Sequence, residues 1–429
     1  MSNIRLPRRA VLGMLPALGF LPRAARAAGQ SPLSFVGWSQ AEPGSAPVLA
    51  KIFEGFRTAN PDINLKLIGF PWGQTEQNLI LRLRSHQPTG VAQVQERWLF
   101  ALQAMGGLAD MDSVFGRAYL EARMDPALLK IGEVDGKLWG IPWTAAAIAL
   151  NENRQLLRET GQNFAPPTMD AFRATLQAIK KARPDSIPFG LSTKTATYIQ
   201  SESQIIFWQF GARFFNAAGD VVIDQPEARD ALSFLVGLMK DGLITKAIDR
   251  LDARKLFAQG RVGFYFDPPV ARAFAKAYTP KGSDFYKDVW PTPTPIAKPG
   301  IPPRSIQWAH LLCMFATPGA DLSKTGPAAK LISYLALNPA SQLTYFKESG
   351  LFPTCNAALS QLRDDAYVST WVSIAKTALP DEPARFTDSS TLGQIIGQEV
   401  EAALLGDKTS AAALKSMAER LNRAQQANR

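Results

Sequence analysis

Cysteine and histidine are almost absent from this chain of 429 residues, which has two of each. Cys313 and Cys355 carry no Cys-x-x-Cys or Cys/His spacing, which argues against a zinc or iron–sulfur centre. An oxidising compartment would permit one disulfide between them. Cys313, however, lies in the apolar run Leu311-Leu312-Cys313-Met314-Phe315, where a buried thiol is the commoner role, so two free thiols are expected. With only His86 and His310 present, triad chemistry has little to draw on. A Gly-x-Ser-x-Gly elbow, a His-Glu-x-x-His pair, a phosphate-binding loop and a Gly-x-Gly-x-x-Gly turn are all missing. The expectation is a protein that is not an enzyme, with no catalytic residue, metal or cofactor.

Long apolar runs are missing too. No stretch reaches the ~18 uninterrupted apolar residues of a membrane-spanning helix. Blocks of one charge are also absent. The net charge of +10 owes five arginines (Arg5, Arg8, Arg9, Arg23 and Arg26) to the first 30 residues, where no acid occurs. The remainder holds 42 basic against 37 acidic residues without a Lys/Arg cluster, which gives no support to nucleic-acid binding. What remains is an ordinary folded composition, 46% hydrophobic and 20% charged, long enough for two or three domains.

Residues 1–30 have the layout of an export signal: a basic start ending Arg8-Arg9, a short apolar run, then Ala25-Arg26-Ala27 as a small-residue cleavage site. The paired arginines resemble a twin-arginine signal, although Pro7 and Ala10 depart from the fuller pattern and an ordinary secretory signal stays open. No cysteine near the cleavage site offers a lipid anchor. A soluble, periplasmic mature protein is expected.

Beyond the leader, strands alternate with helices. Residues 33–38 form a strand, and Val48, Leu49, Ile52, Phe53 and Phe56 mark one face of the following helix. Ile63, Leu65 and Leu67 alternate as a second strand, a helix covers 74–86, and a third strand covers 90–95. This β-α-β-α-β succession predicts a parallel sheet with ligand beyond the carboxyl ends of its strands. Asp135-Gly136 predicts a tight hairpin. A strand at 148–151 and helices at 152–160, 169–182 (Thr168 as N-cap), 201–215 and 226–242 follow. A strand at 261–266 stops at Pro268-Pro269, and six prolines between Trp290 and Pro303 predict an exposed loop or crossover. An apolar strand returns at 306–316, with helices at 326–336, at 339–348 and from Gln394 onward.

The order of these segments carries a resemblance. Gly107-Leu108-Ala109-Asp110-Met111, the hairpin Asp135-Gly136-Lys137-Leu138-Trp139-Gly140-Ile141-Pro142-Trp143, and Leu150-Asn151-Glu152-Asn153 resemble the extracellular solute-binding family that includes the maltose-binding protein. Pro167-Thr168-Met169-Asp170-Ala171-Phe172 is similar to that family's helix start, with Met169 in place of the usual Trp. Phe257-Ala258-Gln259-Gly260-Arg261-Val262-Gly263-Phe264 and Gly350-Leu351-Phe352-Pro353-Thr354 extend the match over nearly the whole mature chain. The resemblance implies an α/β, two-lobed periplasmic-binding-protein-like fold of type II, each lobe a mainly parallel sheet flanked by helices, joined by hinge strands. Lobe one would be 31–142 plus 290–352, and lobe two 143–289 plus 353–429. It also implies capture of a small solute by hinge closure and delivery to the permease of an ABC importer, by a monomer.

A sugar or polyol needs flat faces and hydrogen-bonding edges, and nine Trp and eight Tyr can provide them. Trp38 and Trp72 follow lobe-one strands, Trp143 follows the hairpin, and Trp308 with His310 lies on the returning strand. Glu42 and Thr75 come from the early loops, Glu96 and its neighbour Arg97 follow the third strand, and Tyr265 and Asp267 stand where a strand runs out. Each has a plainer alternative: core packing for Trp72, Trp143 and His310, helix capping for Asp267, and solvent exposure for the other charged groups. Two further readings stay open. The same architecture could bind a polyamine, amino acid or phosphate ester, and an exported glycoside hydrolase could pair Asp267 with Glu42 or Glu96.

Overall fold

The computed structural model describes residues 30–87, 89–280 and 283–427. The expected export signal, apart from Gln30, lies outside the described residues. Strand β1 (Ser31–Gly37) pairs in parallel with β2 (Ile63–Gly69) on one side and β3 (Val91–Gln95) on the other. The helices Ala46–Ala59 and Trp72–Arg84 make the crossovers. In the first helix the buried positions are Val48, Leu49, Ile52, Phe53 and Phe56, the stripe that the 3.6-residue period sets against the sheet. Each such side chain contributes roughly 1.5–3 kcal/mol when fully buried.

A two-stranded hairpin, β4 (Glu133–Val134) and β5 (Lys137–Leu138), turns through Asp135 and Gly136 at φ 51° and 74°, the left-handed pair that a tight hairpin turn demands. Next comes the longest strand, β6 (Ile141–Asn153). Its residues 141–148 pair antiparallel with β10 (Ile306–Met314), which also pairs with β3. Beyond them, residues 149–153 pair with β8 (Val262–Asp267) on one edge and β9 (Val289–Thr292) on the other. Strand β7 (Ile187–Phe189) completes that end, parallel to β8. The full order is β2-β1-β3-β10-β6-β8-β7, with β9 beside β6. Strand β6 thus leaves a mainly parallel sheet and enters a second one. The sequence boundaries at 142/143 and 289/290 fall inside β6 and at the start of β9 rather than between elements.

Several expected elements differ in extent. Strand β6 begins seven residues before the expected Ile148, because Ala145-Ala146-Ala147 has little intrinsic strand preference and is set in the sheet by its neighbours. The helix expected at 201–215 is Ala196–Phe210, and it stops at Gly211, whose φ of 89° is the left-handed cap that glycine allows. The proline-rich stretch is not all loop. Pro291 sits in β9 opposite Asn151, an edge strand where a missing N–H costs no ladder bond. Thr168 caps the helix Met169–Ala182 as expected, its Oγ1 accepting from the Ala171 N–H at 3.2 Å. Cys313 and Cys355 are both buried free thiols.

Candidate ligand-binding site

Between the two sheets lies a cleft of about 490 Å³, its open mouth included. From the first sheet's side come Trp38 and Glu42 after β1, Trp72 after β2, Gln95 and Arg97 at the end of β3, and Trp308 and His310 of β10. The opposing wall holds Tyr198 in the first turn of Ala196–Phe210, Arg250 and Arg254 of the helix Arg250–Ala258, and Pro268 and Val270 after β8, with Leu351 beside them. Trp38, Glu42, Trp72 and Arg97 follow strand carboxyl ends, where an open α/β sheet leaves a crevice, while Trp308 and His310 lie within the antiparallel strand β10.

Aromatic faces meet across this gap. The rings of Trp72 and Tyr198 stack at 5.3 Å between centroids and 17° between planes. The Arg97 guanidinium lies 5.1 Å from the Trp72 ring and that of Arg250 lies 4.9 Å from the Tyr198 ring, both cation–π distances. Trp72 is oriented by its Nε1–H, which donates to Gln95 Oε1 at 2.8 Å. Trp38 packs edge-on against Trp98 at 5.3 Å and His310 at 4.6 Å.

Hydrogen bonding fixes the state of His310. Gln93 Oε1 accepts from the backbone N–H groups of Trp38 (3.2 Å) and Ser39 (3.1 Å), so its Nε2 must donate, to Ser39 Oγ (2.7 Å) and to His310 Nδ1 (2.9 Å). Nδ1 is therefore the acceptor and the ring proton sits on Nε2. Burial pushes the imidazole pKa down to about 3, which keeps it neutral.

Carboxylates stand behind the cleft arginines. Asp267, fully buried, accepts from Arg254 Nε (2.9 Å) and Nη2 (2.7 Å) and from the Tyr265 hydroxyl (3.0 Å). Burial pulls Arg254 down, but the adjacent Asp267 charge outweighs it and leaves Arg254 above its ordinary value. Glu202 accepts from Arg250 Nε at 3.0 Å, and Ser201 Oγ accepts from Arg250 Nη2 at 3.2 Å. Asp381 lies 3.6 Å from Arg97. Among the described residues lining the cleft, Glu42 is the one carboxylate. Burial pushes it up to about 7, against the pull of Arg254 and with the push of Asp267.

Of the residues singled out from sequence, Trp38, Glu42, Trp72, Trp308 and His310 meet in this cleft. The other five do not line it. Thr75 is buried, its hydroxyl donating to the Pro71 carbonyl at 3.1 Å within the start of its helix. Trp143 is in the hydrophobic core, stacked on Tyr345 at 4.8 Å and edge-on to Phe35, because β6 points it inward. Tyr265 and Asp267 are buried behind Arg254, and Asp267 does not cap the following helix, whose N-cap is Val270. Glu96 faces a larger neighbouring cavity that shares Arg97 with the cleft, and its Oε2 accepts from the Ala309 N–H at 2.8 Å. Tyr198, Arg250 and Arg254 were not singled out. Asp249 and Asp252 form a capping box at the start of Arg250–Ala258, a pattern visible in sequence that would have placed both arginines at a helix N-terminus.

Burial pushes Glu96 up to about 8, opposed by the Ala309 N–H and Arg97. The folded state therefore holds a proton between pH ~4.5 and ~8 that the unfolded chain has released, so stability falls as pH rises through that window. Glu96→Gln keeps an acceptor for Ala309 and removes the titration. The variant is expected to melt several degrees above the wild type at pH 8.5, the gap closing toward pH 5. Parallel melting curves across that range would contradict this.

With this geometry in place, the family follows. Residues 40–336 match the bacterial extracellular solute-binding protein family, and the chain belongs to it. A Brucella abortus binding protein is 27% identical over 276 residues, which span 62% of this chain and 64% of that protein's length. Maltose-bound MalE3 of T. maritima superposes with a TM-score of 0.80 at 23% identity, covering 92% of this chain and all of that one. An ABC transporter solute-binding protein of Thermotoga lettingae, bound with α-D-tagatose, gives 0.79 at 18% identity over 92% of this chain and 99% of that one. The fold is the two-lobed α/β fold of type II periplasmic binding proteins.

Proposed function

We propose that this chain is the periplasmic substrate-binding component of an ABC importer. In this reading it captures a sugar, oligosaccharide or polyol between two halves that hinge at β6 and β10, and presents it unaltered, as a monomer, to a membrane permease. The observation that carries the reading is the pairing of Trp72 and Tyr198, one ring from each wall of a cleft that also holds the hydrogen-bonding groups of Glu42, Gln95, Arg97, Arg250, Arg254 and His310. Sugar C–H faces pack on such rings while hydroxyls bond the polar rim. Contacts made by both walls exist only in the closed form, so a ligand favours closure by that difference in affinity. The maltose and tagatose bound to the two solved relatives agree with a saccharide. A glycosidase would need two carboxylates flanking one bond, and among the described residues Glu42 lines the cleft without a second.

The test is a thermal-shift screen of mono- and oligosaccharides, polyols, polyamines and amino acids, since a ligand of the native state alone raises Tm with occupancy. A saccharide or polyol is expected to raise Tm, and hits confined to polyamines or amino acids would overturn the reading. In Trp72→Ala the affinity of that saccharide is expected to drop about tenfold or more. Trp72 also packs on Trp98 and donates to Gln95, so the unliganded Tm is expected to fall as well, and the affinity is read on folded protein below that Tm. Unchanged affinity by calorimetry would remove the stack from the site.

A further inference from the structure

The cleft is rich in donors. Arg97 makes no hydrogen bond among the described residues; it has the 3.6 Å ion pair with Asp381, its contact with Trp72 and the electrostatic pull of Glu96 and Glu76. Arg250 and Arg254 each use Nε and Nη2, leaving Nη1 without a partner among the described residues. His310 adds its Nε2–H, as fixed by Gln93. Glu202, which accepts from Arg250, and Asp267, which accepts from Arg254, are both buried and do not line the cleft. The ligand therefore meets three guanidinium edges, with Glu202 and Asp267 behind two of them and Glu42, whose pKa burial pushes up to about 7, as the carboxylate that shares the cleft lining. Each hydroxyl of a neutral polyol can accept from these N–H groups but also brings an O–H donor, which guanidinium edges cannot accept, and an unpaired buried donor costs roughly 1–3 kcal/mol.

Building on the saccharide reading above, we infer that the solute is an acidic saccharide whose anionic oxyacid group, carboxylate or phosphate, is held by Arg97, Arg250 and Arg254 while its ring packs beside Trp72 and Tyr198. Guanidinium forks match both groups, and charge-assisted bonds of this kind are about twice as strong as neutral ones. Polyamines are disfavoured by the same cationic edges.

The experiment is calorimetry with glucuronate, galacturonate and glucose 6-phosphate against glucose, galactose, acetate and inorganic phosphate, on the wild type, Arg97→Gln and Arg97→Lys. At least one acidic sugar is expected to bind ten times more tightly than its neutral parent. Uronate and sugar phosphate distinguish the two anionic groups. The preference should fall at least tenfold in Arg97→Gln, recover in part in Arg97→Lys, and weaken with salt. A neutral sugar binding as tightly as its acidic counterpart would overturn the inference and leave the saccharide reading intact. Bare phosphate or acetate binding as well as the acidic sugars would overturn the saccharide reading itself. A preference unchanged in a folded Arg97→Gln protein would remove Arg97 from the anion site.

Discussion

Arg254→Met is expected to lower stability by about 3–5 kcal/mol, because it leaves Asp267 charged and buried with the Tyr265 hydroxyl as its remaining side-chain partner. Arg254 and Asp267 share two hydrogen bonds and Asp267 is fully buried, so the cost lies less in the lost attraction than in the stranded charge. The double variant Arg254→Met with Asp267→Asn removes both charges and is expected to recover much of the loss. A double-mutant cycle by urea unfolding reads the coupling directly. If the single variant unfolds at the wild-type midpoint, the pair is not the support for the cleft wall described here.

Gly397→Ala is the second large effect. The helix Ser389–Leu405 crosses the start of Ala196–Phe210 so closely that a methyl group on Gly397 would lie 2.1 Å from the Ala196 carbonyl oxygen and 2.6 Å from its Cα. Backbone cannot swing aside as a side chain can, so the helices must separate, at about 2–3 kcal/mol. Tyr198 is two residues beyond Ala196, and the shift would carry it out of register with Trp72. Both Tm and ligand affinity are therefore expected to fall. One turn earlier, Gly393→Ala meets Gln200 at an ordinary 3.7 Å and gains helix propensity, so its Tm should stay level or rise. Equal behaviour of the two variants in a melting scan would contradict the packing argument.

The parts of the fold legible in sequence are those where a periodic apolar face meets one surface. The stripe Val48, Leu49, Ile52, Phe53 and Phe56, the alternation in β2 and the Asp135-Gly136 turn all fall into place from local chemistry. The helix Ala196–Phe210 was harder to bound because it is buried on nearly every side, with Gln200, Ser201, Glu202, Ser203 and Gln204 all inside, so no single apolar face marks its start. That displaced start left Tyr198 outside the expected helix. Within the site, aromatic residues after strand ends were readable as rim positions, which is how Trp38 and Trp72 were found. Asp267 misled because a carboxylate at a strand end looks the same in sequence whether it faces a ligand or an arginine thirteen residues earlier. Trp143 misled for a related reason: its nearness to the hinge along the chain says nothing about which face of β6 it occupies.

The central claim, that two halves joined through β6 and β10 shut on a small solute, is tested most directly by small-angle scattering with and without a saccharide that raises Tm. The account predicts a smaller radius of gyration and a shorter maximum dimension when the solute is bound. Superimposable profiles at saturating solute would contradict it.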